Sequence, residues 1–121
     1  MRLDEESKAF HYAVYAVVGQ IPYGKVTSYG HIAYLIGRPK NARQVGSSLK
    51  HSEYIVSQLN LEDAGISDLP WWRVILSAGT ISKRDSGEYE QARRLQDEKV
   101  VVDGMKVDLD DFGWFPDLVD I

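Results

Sequence analysis

Two short helical runs separated by Gly37-Arg38-Pro39-Lys40 constrain this chain more than any other feature. Ser28 is a good N-cap, because its hydroxyl can accept from a free backbone N–H of the first turn. The spacing predicts a helix over Tyr29 to Ile36. Gly37 tolerates the left-handed conformation of a helix end, and Pro39 bars continuation. A second helix is predicted over Ala42 to Lys50, opened by Lys40 or Asn41, with Ala42, Val45 and Leu49 on one face. Two such helices across a short break resemble a helix-turn-helix. Gly46 lies inside the second helix; either a close backbone approach or plain helix-on-helix packing accounts for it, and packing is the simpler account.

The elements around this pair are equally short. Acids at Asp4 to Glu6 favour a helix start, and Phe10, Val14 and Val17 carry that helix to about Val18. Ile21-Pro22-Tyr23-Gly24 reads as a type I turn, and Lys25 to Thr27 as an extended bridge. Glu53 to Leu69 is weakly patterned and reads as a long loop with a turn of helix near Ile55 to Leu59. Trp71 to Ser77 reads as a strand, turned by Ala78-Gly79 into a second over Thr80 to Ser82. Asp85-Ser86-Gly87-Glu88 looks like a capping box opening a helix to about Lys99, with Tyr89, Ala92 and Leu95 inward. Val100 to Val107 signals a hairpin around Asp103-Gly104. The segment Phe112 to Pro116 is expected to pack back onto the rest. The fold class is therefore mainly α with small β elements, built on a helix-turn-helix of winged-helix-like type. With 121 residues the chain holds one domain, 1–121, with a modest core.

Composition removes whole classes of function. There is no cysteine, which excludes disulfides, cysteine-rich zinc sites and a thiolate nucleophile. Apolar stretches such as Ala13 to Val18 are too short to span a membrane. Met1 to Glu6 carries three acids and lacks the basic start and apolar run of a signal peptide. A soluble intracellular monomer is expected, in a cytoplasm, nucleoid or nucleus. Net charge is −4, yet Gly24 to Ser52 and Leu69 to Arg84 contain no Asp or Glu. Lys25, Arg38, Lys40, Arg43, Lys50, Arg73, Lys83 and Arg84 fall in these windows. A basic face for phosphates and a chance clustering on a solvated surface both fit this pattern.

Familiar reactive motifs fail on inspection. Gly19 to Val26 nearly matches G-x-x-x-x-G-K-[ST], but Val26 offers no hydroxyl to magnesium and the segment follows a helix, not a strand. His11, His31 and His51 have no partner at ligand spacing, so no metal and no cofactor is expected. There is no G-x-S-x-G, and the acids sit where no apolar pocket tunes them. What remains is Leu69-Pro70-Trp71-Trp72-Arg73-Val74-Ile75. On a strand the two tryptophans point to opposite faces, one into the core and one outward. Both as packing residues, or one as an aromatic wall for a base, are the open alternatives.

Taken together, Tyr29-Gly30, Ile32-Ala33, Gly37, Pro39, Ala42-Arg43, Val45-Gly46, Leu49, Pro70, Arg73-Val74 and Gly79 resemble the DNA-binding and active-site region of the O6-alkylguanine DNA alkyltransferases. Those enzymes carry P-C-H-R-V, with the cysteine as alkyl acceptor. Here the stretch is Pro70-Trp71-Trp72-Arg73-Val74, and tryptophan at the acceptor position marks the alkyltransferase-like members. Thr80 to Arg84 is similar to the same group. Trp72 replaces the activating histidine, Leu76 stands where many relatives have asparagine, the Asn-Pro hinge is absent, and Glu53 to Leu69 is longer.

The resemblance implies a non-enzymatic sensor, free of cofactors, whose partner is duplex DNA containing O6-alkylguanine. It implies minor-groove binding, nucleotide flipping, DNA bending and hand-over to nucleotide excision repair proteins. Tyr29 would crowd the target phosphate, and Arg43 would enter the base stack. Lys25, Lys40, Gly46 and Ser47 would lie along the DNA. Pro70, Trp71, Arg73, Val74 and Arg84 would form the lesion pocket, with Arg84 on the flipped base. The alternative is a winged-helix-like, sequence-specific regulator using the same basic helix in the major groove.

Overall fold

The computed structural model describes residues 4–58, 69–83 and 87–121. Helix α1 spans Glu5–Val18, with the Asp4 carboxylate accepting from Ser7 N at 2.7 Å. Strand β1 is Thr27–Ser28, followed at once by α2, Tyr29–Leu35. Helix α3 is Ala42–Lys50 and α4 is Ser52–Gln58. A 3-10 turn, Trp71–Arg73, leads into β2, Val74–Ile75. Helix α5 is Gly87–Asp97 and α6 is Leu109–Phe112.

The helix-turn-helix forms as its capping residues dictate. Ser28 Oγ accepts from His31 N at 3.0 Å, and Gly37 takes φ +77° after α2. Asn41 precedes α3 without a side-chain cap bond. Val45 and Leu49 are buried on one face of α3, while Arg43, Gln44, Ser47 and Lys50 are exposed on the other.

The two strands pair in parallel, Thr27 with Val74 and Ser28 with Ile75. Successive strand residues point to opposite faces. Val74 therefore enters a helical core with Val14, Val18, Ile32, Val45 and Ile55. Ile75 enters a second core with Val26, Ile81, Leu95, Val100 and Val107. This small sheet joins the two halves of the domain.

Several local expectations change. The tryptophans lie on a 3-10 turn, so strand alternation begins only at Val74, yet Trp72 still packs on the second core while Trp71 lines an open hollow. Thr80 to Ser82 is reduced to a single bridge, Thr80 to Lys106. The reverse turn sits one residue later than expected, with Lys25 N donating to Pro22 O and Gly24 at φ +78°. A positive φ at the third position is the requirement of a type II turn. Tyr89 is exposed: Gln91, Ala92 and Leu95 form the buried face of α5, and Tyr89 lies roughly 115° round the helix from its centre. The helical turn expected near Ile55 is a full helix beginning at Ser52. The remainder of that loop, 59–68, and Asp85-Ser86 of the capping box lie outside the described residues.

The hairpin forms around Asp103 and Lys106, which exchange both backbone hydrogen bonds, with Gly104 and Met105 at positive φ. Two positive φ values make the tight turn whose twist suits a hairpin. The C-terminal segment packs back as expected. Trp114 N donates to Val26 O at 2.7 Å and Val26 N to Phe112 O at 2.8 Å. The His31 imidazole donates to Pro116 O at 2.7 Å. Among the described residues no helix is long and apolar enough to cross a membrane.

Gly79 is a tight point in the second half. Its φ is +87°, and an added Cβ would lie 2.7 Å from the backbone oxygen of Val107, a residue whose N–H donates to Gly79 O at 2.8 Å and so holds the hairpin against this turn. Gly79→Ala should cost at least about 2 kcal/mol, from left-handed strain plus the displaced backbone. Urea titration of the two proteins measures the difference; equal midpoints would contradict the assignment.

Candidate nucleic-acid interface

The exposed face of α3 borders an open groove of about 860 Å³ between α2, α3 and the residues after β2. Tyr29, Arg43, Gly46, Ser47, Leu76 and Lys83 are among its lining residues. The described lining includes three cations, Arg43, Lys50 and Lys83, and no carboxylate. A groove of one sign attracts a polyanion even on a protein of net negative charge.

Local structure explains the aim of each side chain. Arg43, in the first turn of α3, points away from the buried Val45–Leu49 face. Tyr29 opens α2 and lies beneath α3, and a Cβ on Gly46 would sit 3.8 Å from its ring. That is ordinary packing distance, so Gly46 answers to helix-on-helix contact with the tyrosine and not to a second backbone. His51 Nδ1 donates to Ser47 O at 3.0 Å and caps the exposed end of the helix.

A second hollow of about 490 Å³ adjoins the groove at the end of α3, since Lys50 and His51 line both. Trp71, Leu49 and Tyr54 form its aromatic and apolar walls. Pro70 precedes Trp71 and accepts from Arg73 N at 3.0 Å, closing the 3-10 turn that carries Trp71. Trp71 and Trp72 pack edge to face, with centroids 6.0 Å apart.

The charge windows divide in three dimensions. Lys25 donates to Asp111 O at 3.3 Å, and Arg38 pairs with Glu6 at 3.4 Å. Neither lines the groove, and Lys40 stands exposed on the turn between α2 and α3. Arg73 is directed inward: its guanidinium meets Glu98 at 2.7 Å and donates to Ile21 O at 2.8 Å. Val74 is wholly buried in the helical core. Neither residue lines the groove or the hollow beside Trp71. Arg84 lies outside the described residues.

Sequence reasoning missed Glu98. Its carboxylate accepts from Arg73 Nε and Nη2, from Trp72 Nε1 at 2.7 Å and from Gly24 N at 2.9 Å. It also missed Gln91, fully buried, whose amide donates to Trp72 O and Val74 O. Gln91 lies on α5, whose sequence is largely polar, and Glu98 follows directly after that helix, so neither was marked as buried by an apolar pattern.

The histidines serve the framework. His31 is tied to Pro116, and His11 Nδ1 lies 2.8 Å from Ser48 Oγ, where burial lowers its pKa. Among the described residues no cluster of three or more metal-ligating side chains occurs.

Fold and groove together define a helix-turn-helix DNA-binding domain with an aromatic-walled hollow beside its second helix. Residues 9–100 match the family described as 6-O-methylguanine DNA methyltransferase, DNA binding domain, and the chain belongs to that family. It is 43% identical to alkyltransferase-like protein 1 of Schizosaccharomyces pombe, across 96% of this chain and 100% of the relative. It is 38% identical to a DNA base-flipping protein of Escherichia coli, across 91% of this chain and 78% of that protein. The structure of S. pombe Atl1 in complex with damaged DNA containing O6-carboxymethylguanine superposes with a TM-score of 0.73, covering 96% and 100% of the two chains. The Mycobacterium tuberculosis O6-methylguanine methyltransferase superposes at 0.57 and 30% identity, with 81% of this chain covering 50% of that one.

The Glu98 cluster yields a pH prediction. Burial alone raises the Glu98 pKa; the Arg73 guanidinium, with the Gly24 and Trp72 N–H groups, outweighs it and holds the group below its ordinary 4.5. The folded carboxyl thus binds fewer protons than the unfolded one. Its contribution is complete above pH 4.5 and is lost as pH falls through the lowered value. Glu98→Gln should cost about 2–4 kcal/mol at neutral pH, because it leaves Arg73 without its buried counter-charge. In urea titrations the gap from the unsubstituted protein should narrow as pH falls below 4.5; a gap independent of pH would remove Glu98 from this role.

Proposed function

We propose that this protein is a non-enzymatic sensor of O6-alkylguanine in duplex DNA. The observation that carries the reading is a groove whose described lining is cationic and acid-free, adjoining the hollow of Trp71 in a chain without cysteine; by the family resemblance Trp71 holds the acceptor position. The likeness to a relative bound to damaged DNA and to a base-flipping protein supports it. The groove takes the duplex from its minor-groove side, and the damaged nucleotide rotates out toward Trp71. The complex then flags the lesion to nucleotide excision repair proteins. The protein acts as an intracellular monomer.

The chemistry favours the damaged base twice. O6-alkylation removes the N1 proton and weakens pairing with cytosine, which lowers the few kcal/mol needed for flipping. It also leaves a neutral, more apolar edge, which an indole wall suits better than water does. Arg43 fills the vacated stack, Tyr29 crowds the target phosphate, and Ser47 and Lys40 contact the backbone. Arg84 is assigned to the flipped base by the family resemblance alone.

Affinity for one duplex carrying O6-methylguanine should exceed that for the same duplex with guanine by about tenfold or more, a difference of 1.4 kcal/mol or above. Equal affinities would favour a sequence-specific regulator. With DNA labelled on the O6-methyl group, the label should stay on the DNA; stoichiometric transfer to protein would end the non-enzymatic reading. Arg43→Ala should weaken lesion binding by about 1–3 kcal/mol, the range for a lost stacking contact on DNA. It should also abolish the signal of a fluorescent base analogue beside the lesion. An unchanged signal would remove Arg43 from the stack.

A further inference from the structure

A third arginine stands over the tryptophan pair, on the side of α5. The Arg94 guanidinium carbon lies 4.7 Å from the Trp72 ring centroid and 6.0 Å from that of Trp71. Glu90, one turn earlier on α5, accepts from Arg94 Nε at 2.9 Å and fixes the direction of the guanidinium. Trp72 is held on its other edges. Its indole N–H donates to Glu98, its carbonyl accepts from Gln91, and Arg73 lies 5.6 Å from its ring. Trp72 is thus a fixed block, and Trp71 meets it edge to face at 86°.

We infer that Arg94 is a positioning residue for lesion recognition: with Trp72 it braces the Trp71 indole, so that the pocket wall keeps one orientation before a flipped base arrives. The inference rests on the reading of Trp71 as that wall. An indole turns about two side-chain bonds, and a wall that must be ordered during binding weakens binding by about 2–10-fold. A guanidinium over an indole face resists that turning through its attraction to the ring quadrupole. Lysine at this position keeps the charge but loses the planar surface that lies along two rings. Glu90 matters indirectly, because it orients the guanidinium that does the bracing.

The test is a double-mutant cycle read as the ratio of affinities for O6-methylguanine and guanine in one duplex. Arg94→Gln should lower the ratio by about 3–10-fold, with Arg94→Lys recovering part of it. The affinity for plain duplex should fall by less, with little change in its salt dependence. In a Trp71→Ala background the effect of Arg94→Gln on the ratio should vanish, since the brace has nothing left to hold. An equal effect in both backgrounds would overturn the inference, as would an unchanged ratio in Arg94→Gln. Should Arg94→Gln lose cooperative unfolding, Arg94→Lys carries the same comparison. If the unsubstituted protein shows no lesion preference, the sensor reading itself fails, and that result is distinct from a preference that ignores Arg94.

Discussion

The buried pair between Arg73 and Glu98 is the contact on which the placement of Trp71 depends. Both side chains are largely withdrawn from solvent, at 15% and 8% exposure. Such a pair gains little over an apolar one of the same shape, because each charge loses its hydration. Its value here is connectivity. Glu98 follows α5, Arg73 ends the 3-10 turn, and the turn after α1 supplies both the Gly24 N–H and the Ile21 carbonyl that Arg73 meets. Three remote segments converge on two side chains. Removal of either charge leaves the other stranded, so the chain is bound to one arrangement of these segments and to one position for the tryptophans.

Trp72 shows how chemistry can be lost while structure is kept. In the resembled enzymes a histidine stands at this position beside the acceptor thiol. Here an indole N–H donates to Glu98 at 2.7 Å. An indole is a donor only and cannot take a proton from a thiol. It satisfies the buried Glu98 carboxylate and adds a large apolar surface between Arg73 and Arg94. The substitutions at 71 and 72 are consistent with each other: without a thiol nothing needs a base, and a second ring supports the first.

The legible part of the fold was the part coded locally. Ser28, Gly37 and the Val45–Leu49 spacing act within a few residues, and α2 and α3 formed where they pointed. The hairpin at Asp103-Gly104 was readable for the same reason. The strand expected over Trp71 to Ser77 was not, because β-propensity describes a pleated surface and the partner strand offers only Thr27 and Ser28. With two residues to pair, the rest of the run is free to turn, and Arg73 is drawn round to Glu98. Charge was ambiguous for a similar reason. Five basic residues in an acid-free window fitted either one face or a chance clustering, and in three dimensions Arg38 turns to Glu6 and Lys25 to the carbonyl of Asp111. Glu98 itself was unreadable, since its partners lie 25 and 74 residues away in sequence.

A DNA-binding surface on a protein of net charge −4 has a physical consequence for lesion search. Affinity for undamaged duplex comes mostly from released counterions, and each cation in the groove adds to it. The three cations of the described lining, on a chain whose acids outnumber its bases, are consistent with a small value of that term. A large term would hold the protein on plain DNA and leave little free for lesions. In the proposed reading the remaining free energy comes from contacts made only after flipping: Arg43 in the stack and the Trp71 indole at the base. Those contacts lower the dissociation rate far more than they raise the association rate. In the proposed sensor, whose chain holds no thiol to accept an alkyl group, residence at the lesion is the output of binding, and a braced wall would lengthen it without strengthening binding to any other site.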